Sequence, residues 1–403
     1  MSENNVKNKG FLALNAGSSS LKFALYVATQ DNPVMVGNCE RIGSGGTVKL
    51  KGASGEALDL PENCDLQNHQ AAMEVVIASL NLHFPEIEVA AAGHRVVHGG
   101  DAYDGPVMLT PEVLKNIESF SKLAPLHQPH NLSGIYAAME YFPEIPQLVC
   151  FDTAFHQTQA FENNAFAIPY EWYEKGIMRY GFHGLSYDYI NSEVARIAPE
   201  LHQGKVVVAH LGNGTSLCAI DNGKSKATTM GFTVLDGLPM GTRCGQIDPG
   251  VLLHLLESEG LSVPELSRML YYESGLLGLS GGLSNDMRTL NEAGTEEGQR
   301  AIRYFVNKVR SGISTMAATM QGVDLIVFTA GIGENSAEIR RQVCEGLGWI
   351  GVSFDNESNT EGEGQRFIST DDSRVKVMVI PTDEELVIAR AARELVGQSA
   401  AVA

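Results

Sequence analysis

Two glycine turns carry the first sign of chemistry. In LNAGSSSLKF, Leu14 to Phe23, an apolar run breaks at Gly17 into Ser18, Ser19 and Ser20, with Lys22 two residues further on. In VVAHLGNGTSLCAID, Val207 to Asp221, the break falls at His210, Leu211, Gly212, Asn213 and Gly214. Glycine lets backbone come close to an anion, and successive N–H groups in a turn bind oxygens. Lys22 could reach back over the first turn. A single Gly-Ser-Ser-Ser is more often only a turn, but two such turns suit a polyphosphate gripped from two sides. The first is neither the G-x-x-x-x-G-K-S/T phosphate loop nor the G-x-S-x-G elbow of a serine hydrolase built on Ser18 to Ser20. A third stretch, TAGIGENS from Thr329 to Ser336, runs an apolar segment into Gly331-Ile332-Gly333. It would let a flat ligand lie on backbone, and a plain strand-to-helix turn explains it equally well.

Arginines, histidines and acids sit in short glycine- or proline-rich contexts elsewhere. They are Arg95 in GHRVVHGG, His127 in APLHQPHNL, Asp152 in CFDTAFHQT, His183 in RYGFHGLS, Arg243 in MGTRCGQIDPG and Glu384 in TDEEL. Singly, each histidine reads as structural and each arginine as solvated or paired. Together they suit anion chemistry, because the guanidinium fork matches carboxylate and phosphate oxygens and keeps its proton. The pairs His94/His98 and His127/His130 lack a third ligand at zinc spacing, so zinc is not expected.

The elements that must position these residues alternate. Gly17 and Gly212 lie about half the chain apart at matching places in two strand–turn–strand patterns, which points to a duplicated domain opening each time on a hairpin. QLVCFDTAF reads as a strand ending in an acid. PEVLKNIESFSKLA and AIRYFVNKVRSGISTMAATMQG carry helical spacing. VKVMVIPTDEELVIARAARELV reads as a strand, a break and a last helix, capped by Thr382 or Asp383 with Glu385 near the capping-box position. Asn356 to Gln365, rich in glycine and acids, reads as an exposed loop. The class is α/β with mixed sheets.

At 403 residues, two domains are expected. A hydrophobic share of 44% supports a sizeable core. A net charge of −19 argues against general nucleic-acid or membrane-surface binding. Cations that meet an anionic ligand must therefore be gathered locally. MSENNVKNKG has no apolar leader-like stretch, and no apolar run nears the ~20 residues that span a bilayer. Cys39, Cys64, Cys150, Cys218, Cys244 and Cys344 are scattered without C-x-x-C, as reduced cytosolic thiols are.

Taken in order, LNAGSSSLKF, GHRVVHGG, FDTAFHQT, RYGFHG, HLGNG, MGTRCG, FTAGIGENS and TDEELVIAR resemble the acetokinase family of short-chain carboxylate kinases, over nearly the whole chain. The resemblance implies two duplicated ribonuclease H-like domains of the actin-like ATPase superfamily, with a cleft between them. Residues 1–152 plus 386–403 would form the N-terminal domain, with the first phosphate hairpin and a returning C-terminal helix; residues 153–385 would form the nucleotide-binding domain. It implies reversible in-line transfer of the ATP γ-phosphoryl to acetate, giving acetyl phosphate and ADP, with Mg2+ or Mn2+ in its place. A cytoplasmic homodimer with no nucleic-acid or membrane partner is implied too.

By the same resemblance, Asn15 and Glu384 place the metal, and Ser18, Ser20 and Lys22 face the phosphates. His210, Leu211, Gly212, Asn213 and Gly214 form the second phosphate loop. Asp286, Met287 and Arg288, with Gly331, Ile332, Gly333, Glu334 and Asn335, lie by the nucleoside. Arg95 and Arg243 hold the carboxylate and the phosphoryl group, His183 stabilises the transition state, and His127 sits nearby. Asp152 is the conventional acid/base or metal-orienting group. Val97, Leu126, Phe182 and Val234 line the pocket for the acetate methyl. Three departures stand out: FTVLDG for FTPLEG, which puts Val234 where proline is usual; Leu185-Ser186-Tyr187 for Thr-Ser-His; and Asp383 where Asn is frequent. The first opens the pocket to propionate. A carboxylic acid with a pKa near ~4 is already ionised at neutral pH, so Asp152 is expected to orient the metal or fix an arginine rather than remove a proton. The alternatives are a kinase for propionate or another short-chain acid, and a non-catalytic actin-like ATP-binding protein.

Overall fold

In this computed structural model residues 9–402 are described. Residues 1–8, most of the segment read above as lacking a leader, lie outside them. The chain up to Phe155 and from Asp383 onward forms one compact unit, and His156–Thr382 forms a second.

In the first unit, β1 (Lys9–Ala16) is apolar on both faces and its side chains are buried from Phe11 to Leu14. That pattern marks a central strand covered on both sides. β1 turns at Gly17 into the antiparallel β2 (Ser20–Val27), with Asn15 opposite Lys22 and Ala16 opposite Leu21. β3 (Met35–Glu40) and β4 (Thr47–Gly52) continue the meander. On the other side of β1, β5 (Glu88–Val96) and β7 (Gln147–Phe151) run parallel to it, and the short β6 (Val107–Met108) closes the edge. The order is β4-β3-β2-β1-β5-β7-β6. Helix Gln128–Tyr141 packs so closely on β1 that a Cβ at Gly134 would stand 2.6 Å from Ala16 Cβ. The last helix, Glu384–Val402, lies on β1 and β5. Asp383 Oδ1 accepts from Leu386 N at 2.9 Å, so Asp383 caps this helix. Thr382 instead shares a hydroxyl hydrogen bond with Ser186 in the second unit.

The second unit repeats this plan. β8 (Lys205–Leu211) turns into the antiparallel β9 (Thr215–Asp221) and β10 (Lys224–Thr228). β11 (Leu325–Thr329) and β13 (Lys376–Val379) lie parallel to β8, and β12 (Arg366–Phe367) closes the edge. The order is β10-β9-β8-β11-β13-β12. Each sheet thus has a central strand with a hairpin partner on one side and two parallel strands on the other. The duplication read from the two hairpins is present as topology. Helix Glu296–Thr319, N-capped by Thr295, buries Phe305, Val309 and Ile313 in the core of this sheet.

One expectation is corrected. Asn356–Gln365 is not an exposed loop throughout: Asn356–Glu361 is helical, and Asn359 is buried. Asp355 caps this helix by accepting from Glu357 N and Ser358 N, and Asn359 accepts from the buried Arg340 and donates to Ala337 O. A local cap and one distant arginine order a segment whose composition is that of a loop.

All six cysteines are free thiols. Among the described residues no helix is long and apolar enough to cross a membrane.

His94 on β5 and His156 are buried, and burial pushes both pKa values down to about 4 against the opposing hydrogen bonds to Gln147 and Phe182 O. Both are therefore neutral when folded, while the unfolded chain takes up these protons below pH ~6.5. Their contribution to stability is present above that pH and is lost as pH falls toward 4. Each should cost about 2 kcal/mol at pH 5 relative to pH 7. Urea unfolding of His94→Gln across this range should show a shallower acid loss than the parent protein; parallel curves would contradict this account.

Candidate active site

The parallel strands of the first unit end side by side, and their ends carry the chemistry. Asn15 stands at the end of β1, Arg95 at the end of β5, and Asp152 just past β7, where its N–H donates to Val96 O at 3.0 Å. Arg95 binds Asp152 through both ends of its fork, Nε to Oδ1 at 3.0 Å and Nη2 to Oδ2 at 2.6 Å. Its Nη1 donates to Asn15 Oδ1 at 3.2 Å, and Glu384 lies 3.7 Å from Nε. The Asp152 side chain is 2% exposed and that of Arg95 21%. A carboxylate that buried is tolerable only with a bonded cation. Burial alone would lower the Arg95 pKa, but Asp152 and then Glu384 outweigh it and raise it.

The last helix begins with three acids. Asp383 caps it and accepts from Tyr26 Oη at 3.1 Å. Burial, and then the neighbouring Glu384, raise the pKa of Glu385. Glu384 and Asn15 offer hard oxygen donors beside each other's arginine partner. Mg2+ usually takes one or two carboxylates with substrate phosphates and waters rather than an all-protein cage. Among the described residues no group of three His, Cys, Asp or Glu could hold a metal ion by itself. Asn15 and Glu384 therefore fit a metal that arrives with its phosphates.

The first hairpin closes by Gly17 N donating to Ser20 O at 2.8 Å. A Cβ at Gly17 would meet Ser20 Oγ at 2.8 Å, so a larger residue there would have to turn the Ser20 hydroxyl aside. Ser18 and Lys22 are exposed and Ser20 is half-buried. A His69 ring nitrogen bonds Gly17 O at 2.7 Å. Asn131 donates to Ala16 O at 2.7 Å and accepts from Val97 N at 3.0 Å, tying the hairpin to the segment after Arg95. Val97 is buried, Leu126 is exposed, and His127 sits half-buried at the start of helix Gln128–Tyr141.

In the second unit, an imidazole and a guanidinium meet at Gly214. A Cβ there would stand 3.1 Å from His183 Nε2 and 4.0 Å from Arg243 Nη1. His183 has φ 61°, a left-handed conformation uncommon outside glycine, just before helix Gly184–Ile197. Its Nδ1 bonds Ser216 Oγ at 2.8 Å, and its ring stacks on His210 with centroids 4.1 Å apart. His210 Nδ1 in turn bonds Ser186 Oγ at 2.8 Å. Arg243 Nη1 donates to Val234 O at 3.2 Å. Phe182 is buried and Val234 half-buried.

Beside this cluster opens a cavity of about 680 Å³. Of the residues expected near a nucleoside or its phosphates, Gly212, Asn213, Asp286, Met287, Arg288, Gly331, Ile332 and Asn335 line it. Asn285, Asn291, Ser336, Ala337 and Glu338 also line it and were not anticipated. Helix Met287–Ala293 continues past the motif already read, and following its 3.6-residue period from Met287 would have found Asn291. Glu338 lies in a separate helix, Ala337–Glu345, capped by Ser336. Asp286 Oδ1 caps helix Met287–Ala293 through Thr289 N at 2.9 Å, and that bond lowers its pKa. His210, Leu211, Gly214, Gly333 and Glu334 do not border the cavity. Leu211 is buried in the core. Glu334 Oε1 turns back to accept from Ala330 N at 2.8 Å and Thr382 N at 3.1 Å. Arg340, buried and with its pKa lowered to about 10 by burial, donates to Gly333 O and Glu334 O and so fixes the helical turn that also carries the lining residues Gly331, Ile332 and Asn335.

Residues 10–390 match the family model described as the acetokinase family. The chain belongs to the acetokinase family. An acetate kinase of Methylocella silvestris is 49% identical over 97% of this chain and 98% of its own. An acetate kinase of Rhodopseudomonas palustris is 48% identical over 94% and 96%. Among solved structures, the acetate kinase of Porphyromonas gingivalis superposes with a TM-score of 0.88 at 37% identity, covering 96% of this chain and all of that one. A propionate kinase from Francisella tularensis gives the same TM-score and identity over 95% and 98%. Like other acetokinases, this chain is an enzyme of phosphoryl transfer with an actin-like duplicated α/β fold.

Gly214→Ala is a sharp probe of the second unit's cluster. Its φ is permissive, so the added methyl acts through the 3.1 Å approach to His183. We expect kcat to fall at least about tenfold while Tm shifts by less than about 3 °C. Full activity in the variant would separate His183 from the reaction.

Proposed function

We propose that this chain catalyses reversible transfer of the ATP γ-phosphoryl group to acetate, giving acetyl phosphate and ADP. The observation that carries the reading is the convergence of His183 and Arg243 on Gly214, in the turn whose Gly212 and Asn213 line the nucleotide-sized cavity. A nucleotide in that cavity would have its phosphate tail delivered to a histidine and an arginine.

The acceptor carboxylate is already ionised at neutral pH, so the reaction needs no base. Its barrier is electrostatic, because an anion must approach an anion while charge spreads over the equatorial oxygens. Arg95 and Arg243 answer that charge with fixed forks, and His183 turns its Nε2 toward the group in flight. Asp152 is committed to Arg95 by two hydrogen bonds, which supports an orienting role rather than proton transfer. Ser18, Ser20 and Lys22 bind phosphate oxygens from the first hairpin, and His210 backs His183. His127 is assigned to the same acceptor side as Arg95. Mg2+ bound with the nucleotide would be held by Asn15 and Glu384 and would neutralise charge on the phosphates. Val97, Leu126, Phe182 and Val234 receive the acyl chain. A cytoplasmic homodimer belongs to the same proposal and rests on the family resemblance.

Two results would test the reading. An ATP-dependent acyl hydroxamate assay should give turnover with both acetate and propionate, within about 100-fold of each other, because one methylene in an apolar pocket discriminates by only ~1–3 kcal/mol. ATP consumption at the same rate with or without a short acid would instead favour an ATP-binding assembly protein. Arg243→Lys should lose nearly as much kcat as Arg243→Ala, about a hundredfold, because charge without the fork cannot span the oxygens. A lysine variant near the parent kcat would overturn the role given to Arg243.

A further inference from the structure

His183 is joined to a file of buried hydroxyls. Its Nδ1 bonds Ser216 Oγ, and Ser216 Oγ bonds the hydroxyl of Tyr187. Tyr187 is also hydrogen-bonded to Thr228, whose hydroxyl donates to Leu217 O at 2.9 Å. Ser216 and Tyr187 are fully buried and Thr228 nearly so. The carbonyl at the far end can only accept, which gives the file a direction. Thr228 spends its proton on Leu217 O and accepts from Tyr187. Tyr187 then accepts from Ser216, and Ser216 accepts from the imidazole. All the bonds in the file are satisfied only if His183 carries its proton on Nδ1. On the other face of the ring, His210 stacks at 4.1 Å and is itself held by Ser186.

We propose that Tyr187 is a positioning residue, which with Thr228 behind it fixes His183 as the Nδ1–H tautomer through Ser216. Nε2, the nitrogen turned toward Gly214, is then the one that gains or loses a proton at the phosphate turn. Tyr187 stands where the resemblance leads one to expect histidine, so this arrangement belongs to this chain. Its consequence for rate rests on the phosphoryl-transfer reading; its geometry does not.

The test is nitrogen NMR of the full-length protein with 15N-labelled histidine, the His183 signals being assigned with His183→Asn. The parent should show a protonated Nδ1 and an unprotonated Nε2 at alkaline pH. In Tyr187→Phe the two nitrogen shifts should move toward each other as the tautomers mix. Its kcat should fall about tenfold, in the range seen when a partner that orients a histidine is lost. KM for ATP should stay within about twofold, as expected when ground-state binding is untouched. Should Tyr187→Phe not fold, Thr228→Val removes the file's anchor while keeping the tyrosine, and the same shifts are expected. An Nε2–H tautomer in the parent, or an unchanged tautomer in the folded variant, overturns the proposal. A parent protein that makes no acyl phosphate would overturn the functional reading and leave the tautomer result standing.

Discussion

The bidentate pair of Arg95 and Asp152 constrains the chemistry of the first unit. A guanidinium meant to meet an anion must be aimed before the anion arrives, since reorganisation during reaction would forfeit much of its effect. Asp152 does the aiming: nearly sealed from solvent, it engages Nε and Nη2, and Asn15 takes Nη1. The same pairing supports the orienting role proposed for Asp152. Protonating it would leave Arg95 without its main counter-charge, and removing it would leave a half-buried cation with only the weaker charges of Glu384 and Glu385 nearby.

That pair exists because of strand order. In each sheet the central strand runs into a glycine hairpin on one side and takes parallel strands on the other. Parallel neighbours need long crossovers, so residues far apart in sequence finish next to one another at the carboxyl ends. Arg95 and Asp152 arrive beside Asn15 in this way. In the second unit Thr329 pairs with His210 in the same position. Each hairpin then projects its turn from the end where those side chains collect. The duplicated plan delivers a glycine turn beside the carboxyl ends of parallel strands twice over, and local substitutions decide what each copy carries there: Asn15, Arg95 and Asp152 in one, His210 and Thr329 in the other.

Much of this was legible in the sequence because glycine and alternation are local signals. Gly17 and Gly212 mark turns whose neighbours are strands, and those turns lie where they were read, while Gly331 falls in the short helix Ala330–Asn335 that follows β11 directly. What was not legible depends on direction and on distant partners. Glu334 sits in GIGEN among residues that line the cavity, yet its carboxylate points back to Ala330 N, because Ala330 adopts a left-handed φ of 64° and its N–H needs an acceptor. No local pattern reveals that need. Asn356–Glu361 looked like loop because its order comes from Asp355 at one end and Arg340 from another helix. The juxtaposition of His183 with Gly214 also escaped, since it follows from a left-handed turn at a non-glycine residue that the sequence gives no reason to expect.

The positions where this chain departs from its family show which features of the site tolerate change. Val234 replaces proline, but what Arg243 uses is the carbonyl oxygen at that position, which either residue supplies. Asp383 replaces asparagine, but the atoms in use accept from Leu386 N and Tyr26 Oη, and an amide oxygen accepts equally well. The cost of the exchange is a carboxyl whose pKa burial raises, beside Glu384 and Glu385. Tyr187 is different, since its hydroxyl enters a directed file that ends on the imidazole. Exchanges that preserve an acceptor leave the charge layout intact, whereas an exchange within a proton-ordered file resets which nitrogen of His183 carries the proton. A hydrogen-bond acceptor can be conserved by many side chains, but the direction of a donor chain is set by every member at once.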